Sequence, residues 1–166
     1  MIIGIGGVST AGKTTTANKI RKLFPGLRIS ILCQDDYVKS VDEIPRIQDR
    51  VDWESPESID HKRLMQAILV ENQNNDLVIA EGLMIFYHPE VNALFDKRIF
   101  VSIDYQTFKQ RKSLDNRWGY EPEWYIEHIW QSYEQYGRIE TSADVLVLDG
   151  NDEKTSAEIL NFLKDG

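Results

Sequence analysis

The chain has 166 residues, of which 42% are hydrophobic and 28% charged, and this length and composition predict one globular domain over residues 1–166. A formal net charge of −8 argues against a general nucleic-acid-binding protein, because such a protein needs a basic face. The single cysteine excludes a disulfide framework, and the lack of a long apolar run or a secretion signal predicts a cytoplasmic protein without membrane spans.

Five short apolar runs alternate with stretches of helical character along the chain. The runs cover residues 2–5, 28–32, 77–80, 98–103 and 144–148. The predicted helices cover residues 14–23, 56–71 after Ser55 as N-cap, 123–136 after Pro122, and 153–163 after Asp152. This alternation predicts an α/β fold with a five-stranded parallel sheet that is covered on both faces. Two irregular segments, 39–54 and 113–121, are predicted to be substrate loops or lids.

The stretch GGVSTAGKTTT (residues 6–16) lies between the first predicted strand and the first predicted helix, and it matches the pattern G-x-x-x-x-G-K-[ST]. Glycine lets the backbone bend around an anion, and the start of the helix presents unpaired N–H groups to it. A nucleotide-binding loop is therefore predicted, the alternative being a β-to-α turn that binds nothing. The predicted ATP-binding residues are Gly7, Val8, Ser9, Thr10, Ala11, Gly12, Lys13, Thr14 and Thr15, with Lys13 directed at the β- and γ-phosphates and Thr14 at Mg²⁺.

Acidic residues follow the second and third predicted strands. Asp35 and Asp36 follow the second strand, and Glu81 ends the third. In an open α/β sheet the ligand site lies beyond the carboxyl ends of the strands, where carboxylates can bind Mg²⁺ or accept a proton from an attacking hydroxyl. The alternative is a set of solvated turn residues. The residues alone do not choose between Asp35 and Asp36 as the proton acceptor.

A basic stretch, YQTFKQRKSLDNR (residues 105–117), follows the fourth predicted strand. It carries four cations and one acid in a chain that is acidic as a whole. Arginine donates in a fixed fork to the charge that develops on a transferring phosphoryl group, so the position favours a lid over phosphates. A solvated basic helix face is the alternative. The four cations are Lys109, Arg111, Lys112 and Arg117.

Four further blocks resemble the nicotinamide riboside kinases, within the uridine kinase-like group of phosphate-loop kinases. They are QDDYVK (34–39), IAEGLMIF (79–86), GYEPEWYIEHIWQSYEQY (119–136) and VLVLDG (145–150), and with the phosphate loop they span nearly the whole chain. The resemblance implies a P-loop NTPase three-layer sandwich with a short lid at about residues 109–121. It also implies ATP- and Mg²⁺-dependent phosphorylation of the 5′-hydroxyl of a riboside, with nicotinamide riboside as the first choice of substrate.

The resemblance further implies roles for single residues in catalysis. Asp35 is expected to be the general base and a magnesium-linked carboxylate, with Thr14 and Glu81 as the other metal partners. Arg111 is expected to be the lid residue on ATP and, with Lys13, to act in catalysis.

Other residues are implied as binding residues. Asp52 is expected to hold the ribose hydroxyls, and Asp36 and Tyr37 are expected to lie at the substrate. Lys112 and Arg117 would serve the transferred phosphate or the substrate, and the adenine side would be formed by Asn151 and Asp152. The implied partner is a small-molecule riboside, with no nucleic acid or membrane, and the expected state is a monomer or weak homo-oligomer.

Some positions depart from the family pattern and leave the base open. Val51 and Val38 stand where nicotinamide riboside kinases carry aromatic residues, and Lys112 stands where arginine is common. The segment EGLMIFYHPEVNALFDKRIFVSID (81–104) reads like a uridine kinase, so uridine or cytidine is the alternative substrate. The candidates for a stacking surface are Trp53, Tyr87, Trp118 and Tyr120. A nucleotide-switched binding module is an alternative from a different class, and the acids Asp35 and Asp52 favour the kinase.

Overall fold

A computed structural model describes residues 1–115, 117, 119–140, 142, 144–152 and 155–164. The strands are β1 (Ile2–Gly6), β2 (Ile29–Cys33), β3 (Arg46–Ile47), β4 (Arg50–Val51), β5 (Leu77–Gly82), β6 (Lys97–Ser102) and β7 (Val145–Asp149). The helices are α1 (Lys13–Leu23), α2 (His61–Asn74), α3 (Pro89–Asn92), α4 (Tyr105–Ser113), α5 (Glu123–Ser132) and α6 (Ser156–Lys164). Short 3₁₀ turns cover Gln34–Tyr37, Val41–Glu43 and Pro56–Ser58, and a π-helical turn over Tyr133–Gly137 continues α5.

The central sheet has five parallel strands in the spatial order β2-β5-β1-β6-β7. Every residue of β1 and β5 is buried, which requires cover on both faces of the sheet at its centre. The predicted five-stranded parallel α/β sheet is therefore confirmed. Because the strands are parallel, the ends of β1, β2 and β5 meet at one edge, where Cys33 and Ile5 both align with Glu81.

The structure departs from the sequence prediction around residues 39–60. A small antiparallel hairpin of β3 and β4 lies within the segment that was predicted to be irregular. The prediction that a helix begins at Pro56 was wrong, because Ser55 caps only a 3₁₀ turn and the chain is extended again at Ile59. Helix α2 begins at His61, where the Asp60 side chain accepts a hydrogen bond from the Arg63 N–H at 2.9 Å.

The two C-terminal helices also differ in extent from their predictions. Helix α5 begins at Glu123 as predicted, but its last predicted residues adopt the π-helical turn. The predicted start of the last helix, at residue 153, lies outside the described residues, and the helix is described from Ser156. In the part of the chain that is described, no helix has the length and apolar character that crossing a bilayer would require.

Candidate active site

The phosphate loop connects β1 directly to α1. Gly7 and Gly12 have φ values of 147° and 108°, which favour glycine, and a Cβ at Gly7 would lie 2.4 Å from the Val101 carbonyl oxygen. The Lys13 ammonium donates to the Val8 carbonyl of the loop at 3.1 Å, so it lies folded over the loop. Val8 and Ala11 are buried, Ser9 and Thr10 are partly buried, and Thr14 and Thr15 are exposed at the start of α1. The backbone thus has the bend and the helix start that an anion site requires.

Thr14 and Glu81 meet where β5 ends beside the phosphate loop. The Thr14 hydroxyl donates to Glu81 Oε1 at 2.6 Å, and Glu81 is only 3% exposed. Burial, then the charges of Glu81 and Asp35, raise the pKa of the Cys33 thiol to about 12, which places both carboxylates near this thiol and makes the thiol unreactive. The strand ends therefore bring Thr14 and Glu81 into direct contact, with Asp35 on the same side of the sheet near Cys33.

These oxygen donors suit Mg²⁺. Among the described residues there is no group of three or more His, Cys, Asp or Glu side chains that could hold a metal by themselves. Magnesium in phosphotransferases keeps several waters and is bound by one or two protein groups together with substrate phosphates. A hydroxyl and two carboxylates beside a phosphate loop fit that mode of binding.

Contacts on two sides fix the backbone of the QDDY turn that follows β2. Gln34 is 1% exposed, and its Oε1 accepts a hydrogen bond from the Met84 N–H at 3.0 Å. On the other side, the Arg63 guanidinium donates to the Asp36 carbonyl at 2.5 Å and lies 5.3 Å from the centre of the Tyr37 ring. The side chains of Asp35 and Asp36 are left exposed on a fixed backbone.

Glu54 is a candidate site residue that the sequence analysis missed. Burial, followed by the charge of Asp35, raises the pKa of this partly buried carboxyl to about 7. Lys112, Glu121 and Asp52 are also close enough to act on its charge. Glu54 is therefore within electrostatic range of both the proposed proton acceptor and the lid residues. The only local signal was a second acid two positions after Asp52.

Asp52 itself is held within the protein. His128 Nε2 lies 2.7 Å from Asp52 Oδ1, and the same oxygen accepts the Glu54 N–H at 3.2 Å. One oxygen of Asp52, Oδ1, therefore has two hydrogen-bond partners within the protein. Within the described residues, no hydrogen-bond partner is found for the Glu54 carboxylate.

Three of the four predicted lid cations are paired with carboxylates. The pairs are Lys109 with Glu123 (2.8 Å) and Glu127 (3.3 Å), Lys112 with Glu121 (2.7 Å), and Arg117 with Asp115 (2.7 Å). Two parallel hydrogen bonds from Arg117 lower the pKa of Asp115 to about 2. Lys112 is 4% exposed, so its ammonium is enclosed and not solvated. The Lys109 pairs join α4 to the start of α5, the Lys112 pair joins α4 to the segment before α5, and the Arg117 pair lies within that segment.

Arg111 is bonded differently. Its guanidinium donates to the carbonyls of Thr10 and Gly150, both at 3.2 Å, and to the Asn151 side chain at 3.0 Å. Among the described residues it has no carboxylate partner. It joins the phosphate loop to the loop after β7, where Asp152 is exposed beside Asn151. The structure therefore brings Arg111 to the phosphate loop and Asn151 to Arg111, while their roles at ATP stay predictions.

The candidate stacking residues are spread over several surfaces. Trp53 is 41% exposed and lies next to Asp52, whereas Tyr120 is 83% exposed at the start of the α5 region. Tyr87 packs edge-on against Tyr136, with ring centres 5.3 Å apart. Trp118 lies outside the described residues. Of the described candidates, Trp53 is the one nearest in sequence to Asp52 and Glu54.

Comparison with known proteins gives two kinds of relative, although no protein-family model matches the sequence. The chain is similar to nicotinamide riboside kinase 2 from Homo sapiens, with 25% identity over 99% of this chain and 81% of that protein. Nicotinamide riboside kinase from Saccharomyces cerevisiae is 24% identical over 97% of this chain and 88% of its own length. Uridine kinase from Borreliella burgdorferi is 26% identical over 98% of this chain and 94% of its own.

Solved structures give the same fold. A possible uridine kinase from Bacillus stearothermophilus has a TM-score of 0.57 at 16% identity, over 88% of each chain. A sugar kinase from Janibacter has a TM-score of 0.67 at 18% identity, over 98% of this chain and 94% of that chain. The phosphate-loop kinase fold is confirmed. Together with the curated relatives, at about 25% identity over most of the chain, these findings support a nucleoside kinase similar to the nicotinamide riboside kinases and uridine kinases.

Proposed function

We propose that this nucleoside kinase transfers the γ-phosphoryl group of ATP to the 5′-hydroxyl of nicotinamide riboside. The observation that carries the proposal is the surplus of acids around Glu54. Three carboxylates and one ammonium act on its charge, those of Asp35, Asp52 and Glu121 and that of Lys112. The nicotinamide ring of the riboside is a cation, whereas uracil is neutral. A pocket with surplus negative charge favours the cationic ring.

The phosphate side of the site has the opposite character. Lys13 and the α1 N-terminus face the phosphate loop, and Arg111 adds a guanidinium without a carboxylate partner among the described residues. Thr14, Glu81 and Asp35 would hold Mg²⁺, which when bound would neutralise phosphate charge. The proposed site thus separates a cationic phosphate side from an acidic riboside side.

Asp35 is proposed to connect the two sides. Its carboxylate acts on the pKa of Cys33, beside Glu81, and also on the pKa of Glu54. An exposed carboxylate in that position can accept the proton of a 5′-hydroxyl. This role as general base rests on the resemblance and on the position of the side chain.

The ribose hydroxyls are proposed to meet the segment 50–54. The role that the resemblance gives to Asp52 stays a prediction. We propose Glu54 as the carboxylate that accepts the hydroxyls, because its carboxylate has no hydrogen-bond partner among the described residues, whereas Asp52 Oδ1 already accepts from His128 and a backbone N–H. The Lys112 ammonium, held at 2.7 Å by Glu121, would face the same ribose.

A coupled assay of ADP release across nicotinamide riboside, uridine, cytidine and adenosine tests the substrate. We expect the highest kcat/KM for nicotinamide riboside, and a Lys13→Ala preparation controls for contaminating kinases. Reduced nicotinamide riboside has almost the same shape but no ring charge, so its KM should be higher. A preference for uridine or cytidine would favour the alternative substrate, and ATP turnover that ignores every riboside would favour a nucleotide-switched module.

The remaining expectations belong to the same proposal. ATP is proposed as the phosphoryl donor and Mg²⁺ as the metal, and titrations with GTP and with other divalent cations would test them. The single domain with a lid at about residues 109–121, the cytoplasmic location and the monomeric or weakly associated state also stay predictions. Limited proteolysis, cell fractionation and size-exclusion chromatography would test these three.

A further inference from the structure

One side of helix α5 lies against the segment 50–54. The Tyr125 hydroxyl donates to the Val51 carbonyl at 3.4 Å, and the Arg50 guanidinium lies 5.8 Å from the centre of the Tyr125 ring. One turn further along, His128 Nε2 lies 2.7 Å from Asp52 Oδ1. The side chains of His128 and Asp52 are 17% and 16% exposed, so their contact is largely shielded from water.

The contact of His128 with Asp52 extends to Glu54. Asp52 Oδ1 also accepts the Glu54 N–H at 3.2 Å, so the imidazole, the carboxylate and the backbone of Glu54 form one chain of hydrogen bonds. The turn is held elsewhere too, because the Ser58 hydroxyl donates to the Trp53 carbonyl at 3.0 Å. His128 is the partner from outside the loop that bonds the Asp52 carboxylate within it, and the Arg50 guanidinium is contacted separately by the Tyr120 carbonyl and the Tyr125 ring.

We propose that His128 is a positioning residue: through Asp52 it fixes the turn that presents Glu54 to the ribose hydroxyls. This inference rests on the proposed function, because it concerns the riboside side of that same site. It gives Asp52 the role of an intermediate support instead of a ligand. It also gives a physical role to the histidine of the block 119–136, which the resemblance alone had singled out.

The placement of His128 also connects the riboside loop to the lid. At its first turns α5 carries Glu123 and Glu127, which pair with Lys109 on α4. The segment 50–54, α5 and α4 are thus joined by side-chain contacts within the described residues. If the segment 50–54 were displaced slightly, its binding groups would hold the riboside less tightly, because hydrogen bonds weaken steeply when their geometry is lost.

Steady-state kinetics with three variants separate positioning from folding. His128→Ala removes the donor, His128→Gln keeps an amide nitrogen near the position of Nε2, and Gln131→Ala changes an exposed residue of the same helix as a matched control. We expect His128→Ala to raise the riboside KM about tenfold, the loss of one hydrogen bond to a charged group. The KM for ATP should stay within about twofold, and His128→Gln should restore most of the riboside KM.

Amide hydrogen exchange at Glu54, measured by NMR on the protein alone, tests the inference without activity. Exchange should be severalfold faster in His128→Ala and unchanged in Gln131→Ala. In a double-mutant cycle with Asp52→Asn, the two changes should be non-additive in the riboside KM.

Three outcomes would overturn the inference. Unchanged exchange at Glu54 in His128→Ala would show that the imidazole does not fix the turn. Additive effects in the cycle would separate His128 from Asp52. Loss of discrimination against a 2′-deoxyriboside in Asp52→Asn, but not in Glu54→Gln, would place Asp52 itself on the ribose. If the wild-type protein phosphorylates no riboside, the proposed function fails, and the exchange experiment still decides whether His128 positions the turn.

Discussion

Replacement of Glu54 by Gln tests the riboside side of the site through both stability and binding. The variant keeps the size of the side chain and removes its charge. Burial, then the charge of Asp35, raises the pKa of Glu54 from 4.5 to about 7 in the folded protein. Between those two values the folded protein holds a proton that the unfolded chain has lost. The free energy of unfolding of the wild type should therefore fall as pH rises through this window.

The size of the effect follows from the displaced pKa. Each pKa unit corresponds to about 1.4 kcal/mol, so the full penalty above the folded pKa is roughly 3 kcal/mol, as an upper value for a side chain that still touches solvent. At pH ~5 only about half a pH unit of this window has been crossed, so the penalty is below about 1 kcal/mol. For a chain of this size, Glu54→Gln should therefore raise Tm by roughly 5–10 °C more at pH ~8 than at pH ~5.

Binding should change in the opposite direction. The ionised carboxylate accepts hydroxyl hydrogen bonds, so the riboside KM of the wild type should fall as pH rises from about 6 to about 8. Glu54→Gln should raise the riboside KM by roughly ten- to a hundredfold at pH ~8, the cost of losing hydrogen bonds to a charged group. It should also flatten the pH dependence of that KM.

Thermal unfolding of the protein without nucleotide, followed by circular dichroism at both pH values, gives the stability arm of this test. Glu90→Gln, which changes an exposed carboxylate on α3, is the matched control. An equal gain in Tm at the two pH values would refute the raised pKa of Glu54. A riboside KM that Glu54→Gln leaves unchanged would remove Glu54 from the substrate pocket.

Two further predictions concern the phosphate side. Lys13→Ala should weaken ATP binding and remove most turnover, because the phosphates lose their point charge in the loop, and an unchanged kcat/KM would contradict the assignment of the phosphate loop. Arg111→Ala should lower kcat more than it raises the Kd for ATP, because charge on the moving group is greatest in the transition state. Single-turnover kinetics measure the rate of phosphoryl transfer, and calorimetry measures the Kd for ATP. A loss confined to the Kd would indicate that Arg111 contributes to ground-state binding only.

The sheet and the phosphate loop could be predicted because their signals are local. An apolar run such as residues 77–80 must be buried wherever it lies, and a glycine loop before a helix specifies its own backbone. The prediction that a helix starts at Pro56 was wrong because two local signals compete there. Two N-caps, Ser55 and Asp60, compete within six residues, and the sequence alone does not rank a 3₁₀ turn against an α-helix.

The charges of the site could not be predicted because they depend on tertiary contacts. Lys112 was predicted to be a lid cation, with a solvated helix face as the alternative, and the sequence did not indicate that Glu121, from beyond the helix, encloses it. Glu54 received no role from the sequence, because its pKa is raised first by burial and then by the charge of Asp35, and both depend on how the segments pack. Charge and burial at such positions follow from packing between segments that are distant in sequence.

The choice between Asp35 and Asp36 could not be made from their residue type, and the structure gives a reason to prefer Asp35. Of these two carboxylates, that of Asp35 raises the pKa of Cys33 more than that of Asp36 does. Of the two, only Asp35 is among the charges that raise the pKa of Glu54. It therefore lies toward both the metal side and the riboside side. Asp36 is fixed through its carbonyl, which accepts from Arg63, so its side chain can be changed without loosening the turn.

Asp35→Asn should therefore lower kcat by ~10²–10⁴-fold, the usual contribution of a positioned general base, while riboside binding by calorimetry is largely kept. Asp36→Asn is the matched control and should stay within about twofold of the wild type. Mg²⁺ should be titrated in both variants, because rescue of Asp35→Asn by excess metal would make Asp35 chiefly a metal ligand. An inactive Asp36→Asn with an active Asp35→Asn would exchange their roles. Full activity of both would mean that the pair is a solvated turn and that the proton is accepted elsewhere.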